Sequence, residues 1–279
     1  MSNQDEYDIN LISVPGLNYE YNPYILTLII DMCEKRGDVF FPLDLAPNKF
    51  AGSSTIDTIT SLANSLDTNY AAAYYPWIKI KDTNTNRIIL SPPSLSIPAV
   101  FAGNDKVAAE WYAPAGLNRG GISDAVGVSD RLTQDDRDEL YVNRVNPIST
   151  SAGQSGIYVW GQKTLQQQEG PLSSINVRRL LIALKKFIAS ASRYLVFEQN
   201  DSATRNKFLN IVNPYLQSVQ QRSGLYAFVV EMNDDTTTPD LVDRGIMYGK
   251  IKLKPTRSAE EIVLDFDVLP SGGGASFGF

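Results

Sequence analysis

The stretch YAAAYYPWIKIKD, residues 70–82, has the pattern of a well-formed β-strand. Tyrosines and a tryptophan crowd its first part, and apolar and polar residues alternate in its second part. Ile78 and Ile80 share one face, and Trp77 shares the other with two lysines, because side chains alternate across a strand. The pattern predicts a strand over residues 70–81 that has a structural role, since it carries no catalytic group.

Upstream of this stretch, strands and helices alternate. Asn22 is a suitable N-cap for the first helix, Pro23 suits its first position, and Gly37 suits the position after its last turn. The order β-α-β-α-β predicts an α/β fold with a mixed, mainly parallel sheet and helices packed on it. The predicted elements are strands at residues 8–14 and 39–45 and helices at residues 23–36 and 54–66.

Downstream of this stretch, helices and strands are predicted to continue to the C-terminus. The helices are at residues 97–108, 133–145, 175–197 and 202–222, and the strands are at residues 87–90, 156–165, 225–232, 246–254 and 261–269. Pro214 lies inside the last helix, where we expect a kink or a break. We expect an α/β core domain at residues 1–254 and a C-terminal arm at residues 255–279.

Composition excludes several classes of function. The chain of 279 residues contains no histidine, which removes Ser-His-Asp and Cys-His catalysis and the commonest zinc ligands. A net charge of −6 argues against general nucleic-acid binding. The hydrophobic runs are shorter than the ~18 residues that indicate a membrane span, and the polar start is unlike a signal peptide. We expect the single cysteine, Cys33, to be buried on the first helix, as fits a reducing compartment such as cytoplasm.

Candidate sites for cofactors and catalysis are weak. The first βα turn contains one glycine, whereas dinucleotide binding requires a glycine-rich turn, so we predict no cofactor. Asp44 follows a strand and could be catalytic on topology alone, although no partner is placed near it by the sequence. A short helix carries four acids that could hold a metal, but a solvated helix start explains them better: Asp135, Asp136, Asp138 and Glu139.

The predicted helix at 175–197 has a basic side and an apolar side. At ~100° per residue, five cationic residues fall within a third of its circumference. This basic ridge consists of Arg178, Arg179, Lys185, Lys186 and Arg193. A solvated helix face and a surface for an acidic protein partner both explain the ridge, and nucleic acid is a remote third interpretation.

The predicted strand 261–269 has one apolar face and one acidic face. The apolar face consists of Ile262, Leu264, Phe266 and Val268. Residues 255–279 contain one arginine against four acids, a net charge of −3. Such a strand can complete its own sheet or add to the sheet of a neighbouring molecule, because edge strands offer unpaired backbone groups.

An ordered set of blocks along the chain resembles the C-terminal core of bacteriophage contractile tail sheath proteins. These blocks span nearly the whole chain: DINLISVPG, KRGDVFFPLD, YAAAYYPWIKIKD, APAGLNRGGI, NPIST, GIYVWGQKTL, INVRRLLIALKKFI, LVFEQND, TRNKF and EIVLDFDVLPSGGGASF. The resemblance implies a structural protein, not an enzyme, whose subunits polymerise around a tail tube and contract to drive the tube through the host envelope.

The resemblance also implies partners and a location. The implied partners are further copies of the chain, the tube protein, and the baseplate and tail terminator proteins. The implied location is a virion tail that is assembled in the host cytoplasm. No nucleic acid and no membrane insertion are implied. The resemblance favours donation of the 261–269 strand to a neighbour, and it offers the tube as an acidic partner for the basic ridge. Family members usually begin with an arm resembling PGVYVEE and carry outer domains, so we expect this chain to be a piece of a longer protein.

Three alternative functions remain at this point. The first is the sheath of a related contractile injection system, such as an R-type pyocin. The second is a carboxylate-dependent α/β enzyme that uses Asp44 or Asp138. The third is an ordinary protein-binding module, which would not self-assemble.

Overall fold

The computed structural model describes residues 2–4, 6–48, 54–150, 156–233, 236–258 and 260. The strands within them are β1 (Phe41–Leu43), β2 (Ala71–Tyr75), β3 (Ile78–Lys81), β4 (Ile88–Ser91), β5 (Ala125–Val128), β6 (Val145–Thr150), β7 (Ile157–Val159), β8 (Leu225–Glu231) and β9 (Lys250–Pro255). The helices are α1 (Pro23–Arg36), α2 (Ser54–Asn64), α3 (Pro93–Val107), α4 (Gln134–Val142), α5 (Ile175–Arg193), α6 (Ser202–Gln221) and α7 (Pro239–Asp243).

The centre of the fold is a four-stranded sheet with the order β1-β2-β6-β7. The first three strands are parallel, and β7 is antiparallel to β6. Every residue of β2 is buried, because its two faces enter different hydrophobic clusters. One cluster contains residues of α1, α2 and α4, and the other contains residues of α3 and α5. The predicted mixed, mainly parallel sheet with packed helices is confirmed.

The stretch at residues 70–82 forms two strands, so the prediction of one continuous strand is wrong. β2 ends at Tyr75, and β3 begins at Ile78 in a separate antiparallel sheet of order β4-β3-β5. Pro76 lies between them and has no N–H group for a sheet ladder, so the chain changes sheets at this residue. The prediction that the isoleucines and the lysines of β3 lie on opposite faces holds in part, since Ile78 is fully buried and Lys81 is exposed.

The N-terminal strand predicted at residues 8–14 is also wrong. This segment makes a single parallel bridge, between Leu11 and Phe40. Its neighbour β1 has only three residues, which leaves little backbone for a longer ladder. Three other predicted strands are shorter than expected, because β1 covers only Phe41–Leu43, β7 ends at Val159 and β9 begins at Lys250.

The helices agree more closely with the sequence pattern. α1 ends before Gly37, which has a left-handed φ of 66°, and Cys33 within it is fully buried, as predicted. Asn22 precedes the helix but makes no capping hydrogen bond with its side chain, contrary to expectation. α6 continues without a break through Pro214, because the loss of one backbone bond is tolerated in a 20-residue helix with a buried apolar face.

A third hydrophobic cluster joins the C-terminal elements. It contains apolar residues of α5 and α6 together with Trp111 and Leu225. β8 and β9 pair with each other as an antiparallel hairpin, which packs on α6 through one face. The hairpin therefore projects its other face away from the protein core.

Candidate functional site

The hairpin of β8 and β9 has two chemically different faces. Its inner face contributes Phe228, Val230, Ile251 and Leu253 to the cluster around α6. On its outer face Val229 is half-exposed. Among the described residues neither strand has a second neighbour, so each presents an edge of unpaired N–H and C=O groups. An isolated two-stranded hairpin is marginally stable, and additional strands or helix packing must support it.

Three exposed lysines follow the outer face of β9, and we call Lys250, Lys252 and Lys254 the lysine row. Lys252 lies opposite Val229 and its Nζ is 2.6 Å from Oε1 of Glu231. Sequence reasoning missed this surface, although the alternation KIKLK at residues 250–254 could have shown that the lysines share one face.

The chain leaves the hairpin and returns to α4 and to the segment after β7. Thr256 donates its hydroxyl to the carbonyl of Ser223 at 2.7 Å, at the base of the hairpin. Four residues further on, the carboxylate of Glu260 accepts hydrogen bonds from Tyr141 Oη at 2.6 Å and from Gln162 Nε2 at 3.2 Å. The strand predicted at 261–269, with Ile262, Leu264, Phe266 and Val268 on its apolar face, lies outside the described residues.

Two members of the basic ridge on α5 are buried within the subunit. Arg178 is 7% exposed and lies over the ring of Tyr70 at 4.2 Å, and its burial lowers the pKa of its guanidinium group. Arg179 is 4% exposed, forms two hydrogen bonds with Asp105 at 2.9 and 2.5 Å, and lies over the ring of Phe101. These two arginines therefore hold α5 against its neighbours.

The remaining members of the ridge lie nearer the surface. Lys185 is exposed, and its Nζ donates to the carbonyl of Arg36 at 2.8 Å. Lys186 is partly buried and binds Asp8 Oδ1 and the carbonyl of Ile9, each at 2.7 Å. Arg193 is exposed in the last turn of α5. We call Arg178 and Arg179 the internal half of the basic ridge, and Lys185, Lys186 and Arg193 its accessible half.

Asp44 lies at the end of β1, against the first turn of α3. It is 3% exposed and accepts the backbone N–H of Ser94 at 3.1 Å and the hydroxyl of Ser94 at 2.5 Å. Pro92, which precedes α3, makes no side-chain capping bond, so Asp44 caps this helix from another element. Burial raises the pKa of Asp44 to about 6, although the bonds from Ser94 oppose the rise.

We expect Asp44→Asn to change the pH dependence of stability. The native carboxyl group, with its pKa raised to about 6 from 3.8, binds its proton more tightly than the unfolded one. Its contribution to the free energy of unfolding is therefore present below about pH 4 and is lost as the pH rises through about 6. Asparagine keeps an oxygen for the N–H of Ser94 and does not titrate. Urea unfolding should show that the free energy of unfolding of the variant rises by about 3 kcal/mol relative to that of the parent between about pH 4 and 7. A constant difference across this range would contradict the assignment.

Two of the four acidic residues of α4 take part in helix capping or a local hydrogen bond. Thr133 and Asp136 form a reciprocal capping box, with Asp136 Oδ2 accepting the N–H of Thr133 at 2.8 Å. Asp138 accepts a hydrogen bond from Gln134 at 2.9 Å. In the described ranges no cluster of three or more carboxylate or cysteine side chains could hold a metal ion. None of the helices described combines the length and hydrophobicity that crossing a membrane requires.

Within the described residues, the β8–β9 sheet has an unpaired backbone edge on each side, and such an edge can accept an added strand. Residues 1–165 match the family model of the phage tail sheath protein central domain, and residues 167–268 match that of the phage tail sheath C-terminal domain. The chain belongs to the phage tail sheath family.

Two phage proteins illustrate this similarity. The chain is 34% identical over 217 residues to the tail sheath protein of Vibrio phage KVP40, a match that covers 77% of this chain and 31% of that protein. It is 33% identical over 224 residues to the tail sheath protein of Enterobacteria phage T4, covering 80% and 33%. The chain thus spans about a third of the length of these two relatives.

Solved structures share the fold over most of the chain. One belongs to the sheath complex, in its contracted state, of an extracellular contractile injection system (PVC), with a TM-score of 0.78, 26% identity, and coverage of 94% of this chain and 71% of that one. Another belongs to the baseplate of the anti-feeding prophage, with a TM-score of 0.77, 25% identity, and coverage of 94% and 70%.

Proposed function

We propose that this chain is the core of a contractile tail sheath subunit, which polymerises around a tail tube and shortens to drive the tube through the host envelope. The observation that carries the proposal is a hairpin whose two edges have no neighbouring strand among the described residues, in a chain of the tail sheath family. The likeness to a sheath complex in its contracted state also supports it. This role needs no catalytic step and no cofactor.

Subunits associate, in this proposal, when residues 261–269 of one copy add to the free edge of β9 in another copy. The faces of the two strands match. Ile262, Leu264, Phe266 and Val268 would extend the inner apolar face that Ile251 and Leu253 begin. Asp265 and Asp267 would then lie on the outer face beside the lysine row, where opposite charges on neighbouring strands stabilise pairing. The edge of β8 fits less well, because Glu231 lies near its end.

The remaining partners follow from the same role. The subunit would contact the tail tube, the baseplate and the tail terminator, and it would lie in the virion tail after assembly in the host cytoplasm, without nucleic acid or membrane insertion. We propose that the accessible half of the basic ridge, Lys185, Lys186 and Arg193, faces the tube. Arg178 and Arg179 are buried and would act by fixing the orientation of α5.

A sheath of a related contractile injection system is the second candidate function. The likeness to the PVC sheath complex and the anti-feeding prophage baseplate supports it. The two candidates share the assembly mechanism and differ in the machine that the sheath serves. Genes for capsid and genome packaging beside this gene would indicate a phage tail, and their replacement by toxin genes would indicate an injection system.

Negative-stain microscopy tests the proposed function directly. The full-length polypeptide that carries this chain should form hollow cylinders of stacked rings. Single particles at every protein concentration and salt condition tested would contradict a sheath role.

Charge reversal in the lysine row tests the proposed pairing. Lys254→Glu should raise the critical concentration for polymerisation about tenfold, since replacing attraction by repulsion between strands costs about 1–2 kcal/mol. A second substitution in the chain that carries Lys254→Glu should restore assembly. It is Asp265→Lys or Asp267→Lys, according to which of the two aspartates the strand register places beside residue 254. Lys106→Glu makes the same charge change on an exposed part of α3 and serves as control. Equal assembly of the Lys254 and Lys106 variants would contradict the pairing.

A further inference from the structure

A groove of about 780 Å³ lies where the loop after α3, helix α4 and the segment after β7 meet. Its apolar wall includes Ala115, Pro147 and Trp160, and Trp160 is 46% exposed. Two arginines, Arg119 and Arg137, also line it. Asp138 lines it as well, so the groove offers an apolar surface beside two cationic side chains and one acidic side chain. Such a surface suits an extended segment that has apolar and acidic residues in alternation.

The described part of the chain enters this groove from the hairpin. Ser258 and Glu260 both line it. Glu260 is fixed there by Tyr141 at 2.6 Å and by Gln162 at 3.2 Å. Glu260 is therefore the point at which the last described residue of the chain contacts the groove.

Gln162 supplies an independent indication that the groove holds a peptide backbone. The residue is 4% exposed, and its Nε2 donates to Glu260. Its Oε1 is buried and accepts no hydrogen bond from any described residue. A buried acceptor without a donor is destabilising. An extended chain that follows Glu260 presents a backbone N–H at each residue and can satisfy this oxygen.

The sequence after Glu260 complements the walls of the groove. Residues 261–266 read EIVLDF, with Ile262, Leu264 and Phe266 on one face and acidic residues at 261 and 265. The apolar face can cover Trp160, and the acidic residues can approach the two arginines of the wall. The short connection to Glu260 gives this segment a high effective concentration at its own groove compared with another subunit.

We propose that the groove is the docking site of residues 261–266 of the same chain in the unassembled subunit. Docking holds the segment on the central domain and away from the open β9 edge of its own hairpin. The segment then leaves the groove when another copy presents a free edge. The docking goes beyond the proposed strand exchange and does not depend on it, because it occurs within a single subunit.

Hydroxyl-radical footprinting of Trp160 in dilute subunits tests the docking. Three chains are compared: the full chain, a chain that ends at residue 270 and a chain that ends at residue 260. Trp160 should be oxidised several-fold faster in the chain that ends at 260 than in the other two, at every subunit concentration. Trp111, which is 8% exposed, should be oxidised at the same slow rate in all three if each is folded.

A full-length variant with Leu264→Asp and Phe266→Asp provides a second measurement that leaves the chain length unchanged. It should expose Trp160 as much as the truncation at 260 does. Equal oxidation of Trp160 in all chains would overturn the proposal. Protection that disappears on dilution would also overturn it, because the occupant would then come from another subunit. Neither result depends on whether sheaths form, so this test and that of the proposed function are separable.

Discussion

Deletion of residues 261–279 is expected to abolish polymerisation of the sheath polypeptide that carries this chain, while its subunits remain folded. The deletion removes the four apolar side chains that would extend the inner face of another subunit's hairpin. Each contributes ~1.5–3 kcal/mol when fully buried, before the costs of ordering the segment. The loss therefore exceeds the roughly 1.4 kcal/mol that changes an association constant tenfold.

Electron microscopy and sedimentation measure this loss, and circular dichroism checks the fold. The matched control lacks only residues 271–279, which follow the predicted strand, and should still form cylinders. Normal cylinders from the chain that ends at residue 260 would exclude strand donation by the C-terminal segment. If neither shortened chain forms cylinders, the loss of polymerisation is caused by the removal of residues 271–279 and not by the removal of the predicted strand.

Arg179→Ala is expected to have the largest effect on stability among the arginines of the ridge. It removes both hydrogen bonds to Asp105 and the contact with Phe101, and it leaves the Asp105 carboxylate in a partly buried position. Removing one partner of a buried ion pair costs about 3–5 kcal/mol, and we expect the lower end because the side chain of Asp105 is 24% exposed.

Chemical denaturation measures this difference in the free energy of unfolding. Arg193→Ala is the matched control, because it removes the same side chain from the exposed end of α5 and should change stability by about 0.5 kcal/mol or less. Equal effects of the two substitutions would contradict the division of the ridge into an internal half and an accessible half.

A helical wheel groups the cationic residues of α5 on one side of the helix, but it does not show which of them are buried. It contains only the helix itself, whereas the burial of Arg179 depends on Asp105 and Phe101 of α3, more than 70 residues earlier in the chain. The same limit applies to Asp44, whose role as a cap depends on Ser94.

The order and type of the elements were largely predictable because hydrophobic periodicity and caps are local signals. Gly37 and Pro23 marked the ends of α1 correctly. The sheets were less predictable, since the strand pattern of the residues on either side of Pro76 does not show whether the two segments belong to one sheet. The lysine row shows a further limit, because a strand's pattern does not reveal which of its edges is free.

The central claim is that residues 261–269 of one subunit pair with β9 of another, and disulfide formation in mixed chains tests it most directly. Chains with Asp265→Cys are mixed with chains that carry a cysteine at one position of the lysine row, 250, 252 or 254. The native Cys33 is fully buried and does not interfere. The account predicts covalent dimers of the two different chains on assembly. A third chain, which carries both cysteines, serves as the comparison. The absence of mixed dimers at all three positions, together with a disulfide within single copies of the third chain, would contradict the account.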